Sequence, residues 1–285
     1  GDLIAYIQEN PSVLLEAVCD NDRELILDLI RVGVDVNFLN ELGEGALFFA
    51  IRNNDVDTVL LLIEAGANVH VRRNLSVGES LLDVAIMKNS TELVKVLIAA
   101  GVTPTTGDEF GQTSLHYAID SENIEIIKII LAAGANINAL CDFGCTPLVK
   151  AINRNKIYII KKLIDFGADI NISNEVGWTP LHDAVYMNNV DTVKLLISIG
   201  ANVYAQDKYG NTAVSLAITQ EKTEVIHVMR EQGIIANSAN VFYFPECSTI
   251  EEVIKDGKKI NVKNFYGDFP IDGAILNNNK QAIKQ

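Results

Sequence analysis

The chain has 285 residues, of which 48% are hydrophobic, and a formal net charge of −14. This hydrophobic content excludes a disordered chain, while 23 basic residues against 37 acidic ones disfavour nucleic acids and anionic membranes as partners and favour basic protein surfaces. No apolar run approaches the roughly 20 residues that a membrane-spanning helix needs, so membrane insertion is not expected.

Two sets of small residues recur along the chain at a constant interval. Glycines recur every 33 residues, with one spacing of 35, at Gly33, Gly66, Gly101, Gly134, Gly167, Gly200 and Gly233. Alanines follow the same spacings at Ala17, Ala50, Ala85, Ala118, Ala151, Ala184 and Ala217. Both sets show the same longer interval, which indicates a two-residue insertion between Gly66 and Ala85. A period of this length is typical of stacked repeats and predicts one elongated domain over residues 1–285.

The first forty residues are predicted to form the N-terminal end of the stack. The unit at residues 1–40 keeps Ala17 and Gly33 but lacks the turn motif of the later units, which indicates a capping unit. Residues 41–236 then contain six regular units.

The most regular unit carries a motif that is specific to one family. Residues 177–184, GWTPLHDA, resemble the Thr-Pro-Leu-His-x-Ala signature of ankyrin repeats, whose period is 33 residues. Close variants are GQTSLHYA at 111–118 and GCTPLVKA at 144–151, and more degenerate ones lie at 43–50, 78–85 and 210–217. The resemblance covers nearly the whole chain. It implies an all-α ankyrin-repeat solenoid of helix–turn–helix units joined by β-hairpin or finger loops.

The same unit predicts its helices from elementary rules. Thr179 is a good N-cap, and Pro180 is tolerated at the first helical position. Residues 190–197 carry an apolar stripe that predicts a second amphipathic helix, which Gly200 would end in a left-handed conformation. An extended finger with a turn at residues 207–210 is expected to follow.

The regular spacing ends after Ala217. Gly257 follows Gly233 by only 24 residues, so about nine residues of one unit are missing. Residues 237–262 are therefore predicted to form a degenerate unit, in which an extended segment replaces the first helix. Residues 263–285 are predicted to form a final, truncated unit.

No catalytic, metal or cofactor site is predicted. His116 and His182 occupy the same repeat position, and the family resemblance implies structural hydrogen bonds for both. Cys145 falls one unit from His116, but a nucleophile and its base must be adjacent in space, and nothing else indicates such a pair. Cys141 and Cys145 lack the further ligands that a metal needs, and no phosphate-binding or hydrolase motif occurs. The chain is therefore predicted not to be an enzyme.

A row of apolar and aromatic residues directly precedes the finger glycines, where a solvated turn normally favours Asp, Asn, Ser or Lys. Its members are Leu42, Val77, Phe110, Phe143, Val176, Tyr209 and Tyr266. The resemblance implies that ligands contact the finger tips and the exposed side of the first helices. The predicted partner-binding residues are Phe110, Phe143, Trp178, Tyr186, Met187 and Tyr209. Packing of each tip on the next finger is the alternative interpretation of the row.

Acidic side chains flank these residues and indicate the charge of the partner. They are Asp108, Glu109, Asp120, Asp142, Glu175 and Asp207. The leading hypothesis is a monomeric, non-catalytic scaffold whose concave groove binds a protein with basic and apolar groups. The alternative is a targeting or regulatory module of a larger enzyme or of a host-directed effector, because fold alone does not determine function. The Ile-, Asn- and Lys-rich sequence suggests an AT-rich genome and thus a secreted effector, and the free thiols suggest an intracellular location, possibly the host cytoplasm.

Overall fold

The computed structural model describes residues 2–73 and 78–234, and this part of the chain is mostly helical. Its helices are α1 Asp2–Glu9, α2 Ser12–Cys19, α3 Arg23–Arg31, α4 Ala46–Arg52, α5 Val56–Glu64, α6 Leu81–Met87, α7 Thr91–Ala99, α8 Ser114–Ser121, α9 Ile124–Ala132, α10 Pro147–Asn153, α11 Ile157–Asp165, α12 Pro180–Tyr186, α13 Val190–Ser198, α14 Ala213–Thr219 and α15 Thr223–Glu231. These described residues contain no β-strand and one isolated antiparallel bridge, between Arg72 and Ser80. The predicted all-α fold is confirmed, and the described parts of the fingers contain turns and irregular segments.

The chain divides into two compact units, Gly1–Pro147 and Leu148–Gln285. In the first unit, the first helices α2, α4, α6 and α8 pack on one another in sequence order, and each packs on the second helix that follows it. In the second unit, α12 packs on α14, and α13 packs on α15 in the same manner. The single domain expected from the sequence stays a prediction.

The recurring alanines lie in the core between the packed helices. Six of them have no exposed surface: Ala50, Ala85, Ala118, Ala151, Ala184 and Ala217. A larger side chain at any of these positions would overpack the core, which typically costs about 1–3 kcal/mol. The constant alanine spacing therefore marks one core position that recurs from repeat to repeat.

The helix boundaries predicted for the most regular unit are confirmed. Thr179 is the N-cap of α12 and Pro180 is its first residue, while α13 begins at Val190. Gly200 follows α13 with φ +92°, and no atom lies within 4 Å of the place where a Cβ would stand. Conformation rather than space therefore selects glycine at this helix end.

The two-residue insertion lies in the finger between α5 and α6. On one side of this finger, the Arg72–Ser80 bridge and a hydrogen bond from the Arg73 amide to the Glu79 carbonyl (3.1 Å) hold the two arms together. The Arg73 guanidinium donates to Glu44 Oε1 at 2.9 Å, which anchors the finger to the preceding one.

Several predictions fall on residues outside the described part of the chain. These are the degenerate unit 237–262, the final unit 263–285, and the tip residues Val77 and Tyr266.

Candidate functional site

The finger tips are organised by one acidic or amide side chain in each turn. In the last described finger, Asp207 Oδ1 accepts from the backbone N–H groups of Tyr209 (2.9 Å) and Asn211 (2.8 Å). Burial would raise the pKa of Asp207, but hydrogen bonds from Asn211, Tyr209 and Trp178 outweigh it and hold the pKa below its ordinary value. Asp108 forms the same turn with the amides of Phe110 and Gln112.

These contacts correct one expectation about charge. Asp108 and Asp207 were expected among the acidic groups of the binding surface, yet both are buried, with 9% and 8% of their surface exposed. Their carboxylates fold back onto the turn because two backbone amides point at each of them. The remaining acids of that set, Glu109, Asp120, Asp142 and Glu175, are exposed.

The turns hold the residues at the tips out into solvent. The exposed fraction is 67% for Phe143 and 68% for Tyr209, and Leu42, Phe110 and Val176 are exposed as well. In the first unit, the rings of Phe110 and Phe143 stack with centroids 5.7 Å apart, and the Asp142 amide donates to the Phe110 carbonyl at 2.9 Å. The two tips thus pack on each other while Phe143 keeps most of its surface free.

In the second unit, the fingers are joined through the backbone. The Lys208 amide donates to the Val176 carbonyl at 2.9 Å, which fixes the tip of the last described finger against the preceding tip. Tyr209 follows directly and points into solvent. An exposed aromatic ring on a fixed turn loses little entropy on binding.

Trp178 is tied into the fold more firmly than its turn position predicts. Its ring is half-buried, 5.3 Å from the ring of Tyr186 and 6.3 Å from that of His182, and its Nε1 donates to Asp207 Oδ2 at 3.3 Å. Trp178 is therefore partly packed against its neighbours, and its role in partner binding stays a prediction. Trp178 supports Tyr186, which together with Met187 remains exposed.

The two repeated histidines are structural groups. In each, Nδ1 accepts from the N-cap threonine amide, at 3.1 Å for His116 and 3.2 Å for His182. Nε2 then carries the proton and donates to a carbonyl of the next finger, Cys145 at 2.9 Å and Asn211 at 3.2 Å. Burial lowers the pKa of His182. His116 thus meets the backbone of Cys145, and both of its ring nitrogens are engaged.

Asp183 was not predicted, and it is the most unusual polar group near this surface. Its Oδ2 is buried and has no hydrogen-bond partner. Burial raises the pKa of Asp183 to about 7. The residue stands directly before the buried alanine of its repeat, where the other units carry Glu16, Phe49, Val84, Tyr117, Lys150 and Leu216. The preceding repeat carries Lys150 at this position, and the following repeat carries Leu216. The change to an acid at position 183 is the signal in the sequence that could have identified it.

The described residues contain no group of three or more His, Cys, Asp or Glu side chains placed to hold a metal ion. Cys19, Cys141 and Cys145 are free thiols. In the same part of the chain, none of the helices combines the length and the apolar character needed to cross a bilayer.

A family model described as ankyrin repeats in three copies matches residues 14–108, 71–141, 115–207 and 148–240. No curated protein sequence matches the chain significantly. Among solved structures, the ankyrin repeat domain of Bcl-3, a unique member of the IkappaB protein family, is similar with a TM-score of 0.68 and 24% identity over 76% of this chain and 97% of that one. The human ASB11 ankyrin repeat domain gives a TM-score of 0.65 and 28% identity over 77% of this chain and 96% of that one.

Proposed function

Because this chain belongs to the ankyrin-repeat family, we propose that it is a non-catalytic module that binds a protein partner through its finger tips and the exposed side of its first helices. The observation that carries the proposal is a set of exposed aromatic side chains on hydrogen-bonded turns. Phe143 and Tyr209 have about two thirds of their surface free on such turns. The engaged ring nitrogens of His116 and His182 support the non-catalytic part.

The energy available at these residues is enough for specific binding. Burying one large side chain such as Phe or Tyr contributes roughly 1.5–3 kcal/mol. Interface energy is usually concentrated in a few aromatic and arginine residues. We therefore assign the first unit a patch of Phe110 and Phe143, and the second unit a patch of Tyr186, Met187 and Tyr209 supported by Trp178.

The charge of the surface favours a partner with basic and apolar groups. Asp142 is exposed beside Phe143, and Glu175 is exposed beside Val176. Such rim charges mainly speed association and lose effect as salt rises. We propose that the protein acts as a monomer inside a cell, with its thiols reduced.

The test is reconstitution with a purified partner identified by proximity labelling. Phe143→Ala and Tyr209→Ala should each raise the dissociation constant, measured by calorimetry, at least tenfold. Tyr158→Ala is the matched control, because Tyr158 is also exposed but lies on the second helix α11. Unchanged affinity in both tip variants, or an equal loss in the control, would contradict the proposal.

A further inference from the structure

We propose that Cys141 and Cys145 are a disulfide site, which closes the finger tip around Phe143 when the protein is oxidised and strengthens partner binding there. The inference rests on the proposed function and adds a regulation to the tip that carries Phe143. It begins from two thiols at the facing ends of one tight turn.

The backbone brings positions 141 and 145 together. The Cys141 amide donates to the Cys145 carbonyl at 3.1 Å, and the Gly144 amide donates to the Cys141 carbonyl at 2.8 Å. Gly144 has φ +71°, a conformation that glycine adopts without strain and that lets the chain reverse here. The same two hydrogen bonds close the other regular fingers, at residues 40–44, 108–112, 174–178 and 207–211. The finger of the two cysteines therefore has the common turn.

Equivalent side chains contact each other across this turn in two other fingers. Asn40 Nδ2 donates to Glu44 Oε2 at 3.2 Å, and Asn211 Nδ2 donates to Asp207 Oδ2 at 3.1 Å. These pairs occupy the positions of the two cysteines. Residues that face each other in an antiparallel pair lie about 4.5–5.5 Å apart at Cα, which is inside the range of about 4.4–6.8 Å for a disulfide. The two sulfur atoms can thus be joined while the turn is kept.

Position 141 carries a thiol where the other regular fingers carry a carboxylate or an amide. In those fingers the side-chain oxygen at this position accepts from two backbone amides of the turn, as seen for Asn40, Asp108, Asn174 and Asp207. A thiol is only a weak acceptor, so Cys141 holds its turn less firmly. The Cys145 thiol adds a long contact of 3.9 Å with the Phe143 carbonyl. A disulfide replaces the weak clamp of this turn by a covalent one.

The reaction needs an external oxidant, a small-molecule disulfide such as oxidised glutathione. Cys145 is partly exposed and Cys141 is buried, so Cys145 meets the oxidant first. The Cys145 thiolate attacks one sulfur of oxidised glutathione and releases one glutathione thiolate. The Cys141 thiolate then attacks the Cys145 sulfur and displaces the second glutathione. The two protons lost by the cysteines pass to the two glutathione thiolates, so the protein is oxidised and one glutathione disulfide is reduced.

Closure of the ring changes how Phe143 is presented to a partner. Phe143 is the central residue of the turn, and 67% of its surface is exposed. A turn with covalently joined ends has fewer conformations, so its aromatic side chain loses less entropy on binding. Disulfides inside cells are usually transient and redox-sensing. The dithiol is therefore the resting form, and an oxidant strengthens binding at this tip.

The first test asks whether the bond forms in the full chain. The tryptic fragment 129–150 contains Cys141 and Cys145 and neither of the other two cysteines. After equilibration with reduced and oxidised glutathione and alkylation of the remaining thiols, mass spectrometry should find this fragment unalkylated and lighter by two hydrogen atoms. This form should exceed the glutathionylated forms at least tenfold, because the second thiol attacks within the same turn. Two alkylated thiols, glutathione retained on Cys145, or a bond to Cys19 or Cys247 would overturn the pair.

The second test measures the turn itself. Oxidation should slow hydrogen exchange of the Gly144 amide several-fold, because this amide bonds across the closed ring. The Gly210 amide makes the same bond in the finger at 207–211 and should be unchanged. Cys145→Ser has nearly the same shape and should abolish the slowing. Equal exchange at Gly144 in the reduced and oxidised protein would show that the bond does not clamp the tip.

The third test connects the bond to binding of the purified partner. Oxidation should lower the dissociation constant of the native protein several-fold, and Cys19→Ser should keep this response because Cys19 lies on α2. Cys145→Ser should bind equally under both conditions. If the bond forms but the dissociation constant does not change, the regulation falls and the proposed function stands. If Phe143→Ala and Tyr209→Ala bind the partner normally, the proposed function falls, and the first test alone decides whether the disulfide site exists.

Discussion

Replacing Asp183 by asparagine should stabilise the protein at neutral and alkaline pH. The pKa of this carboxyl group is raised by burial from 3.8 to about 7. Above pH 7 the folded protein must therefore hold a charge that the unfolded chain holds more easily. Asparagine has nearly the same shape and is never charged, so the variant avoids this cost.

The size of the effect follows from the pKa difference. About three pKa units correspond to a ceiling of roughly 4 kcal/mol, at 1.36 kcal/mol per unit. Relaxation around the charge lowers this value, and we expect Asp183→Asn to raise the free energy of unfolding by about 2–4 kcal/mol at pH 8.

The sign of the pH dependence is fixed by the direction of the shift. The folded pKa of Asp183 is the higher one, so its neutral form contributes full stability below pH 3.8. That contribution is lost as the pH rises towards about 7 and stays constant above. The advantage of Asp183→Asn should therefore be only about 0.5 kcal/mol at pH 4, about 1–2 kcal/mol at pH 5 and maximal at pH 8.

The assay is urea unfolding of the full chain and of the variant at these three pH values. Asp191→Asn is the control, because it removes an exposed acid from α13 and should change stability by less than about 0.5 kcal/mol at each pH. The reasoning would be refuted if Asp183→Asn and the native protein had the same free energy of unfolding at pH 8. It would also be refuted if their difference were equal at pH 4 and pH 8.

Three further changes test other contacts. Glu221→Asn should raise the free energy of unfolding by about 0.5–1 kcal/mol in urea titration, because Glu221 has φ +54° and asparagine tolerates this conformation better. Five other repeats carry asparagine at the equivalent position. An unchanged unfolding midpoint would contradict this prediction. Trp178→Phe should lower stability by about 1 kcal/mol, since the hydrogen bond to Asp207 is lost while the ring contact is kept, and a neutral result would show that the bond contributes nothing. Tyr209→Ala should leave the melting temperature within about 2 °C, because its ring is mostly exposed, and a larger drop would mean that the tip is structural.

The helices were predictable because their determinants are local. Thr179, Pro180 and Gly200 each act within one helix end, so the sequence alone predicts where α12 begins and where α13 ends. The alanine and glycine spacings add the repeat length, from which the stacking follows. The sequence also restricted the two-residue insertion to residues 66–85, which contain one finger and the first residues of α6.

The site was less predictable because its geometry depends on contacts between repeats. Trp178 looked like an exposed turn residue, but Asp207 of the next finger accepts from its indole and holds it against α12. Asp207 looked like a surface charge, but the turn amides hold it inside. Asp183 has an ordinary surface residue type, and only the packing around it buries the oxygen. The Trp178 contact joins residues 29 positions apart and leaves no local pattern, whereas the turn around Asp207 is local and only the direction of its side chain was missed.

Asp183 finally shows that an unpaired buried acid can lower the stability of the second unit. Its buried oxygen has no partner, so the free protein carries a cost that the shape-matched amide would remove. Replacing an acid whose oxygens are paired should instead lower the stability of the protein. Asp207 is such an acid, because four donors hold it. Asp183→Asn should therefore raise the free energy of unfolding at pH 8, whereas Asp207→Asn should lower it at the same pH, because the first acid is unpaired and the second is held by donors. Changes of the same sign in urea unfolding of the two variants would contradict this difference between the two acids.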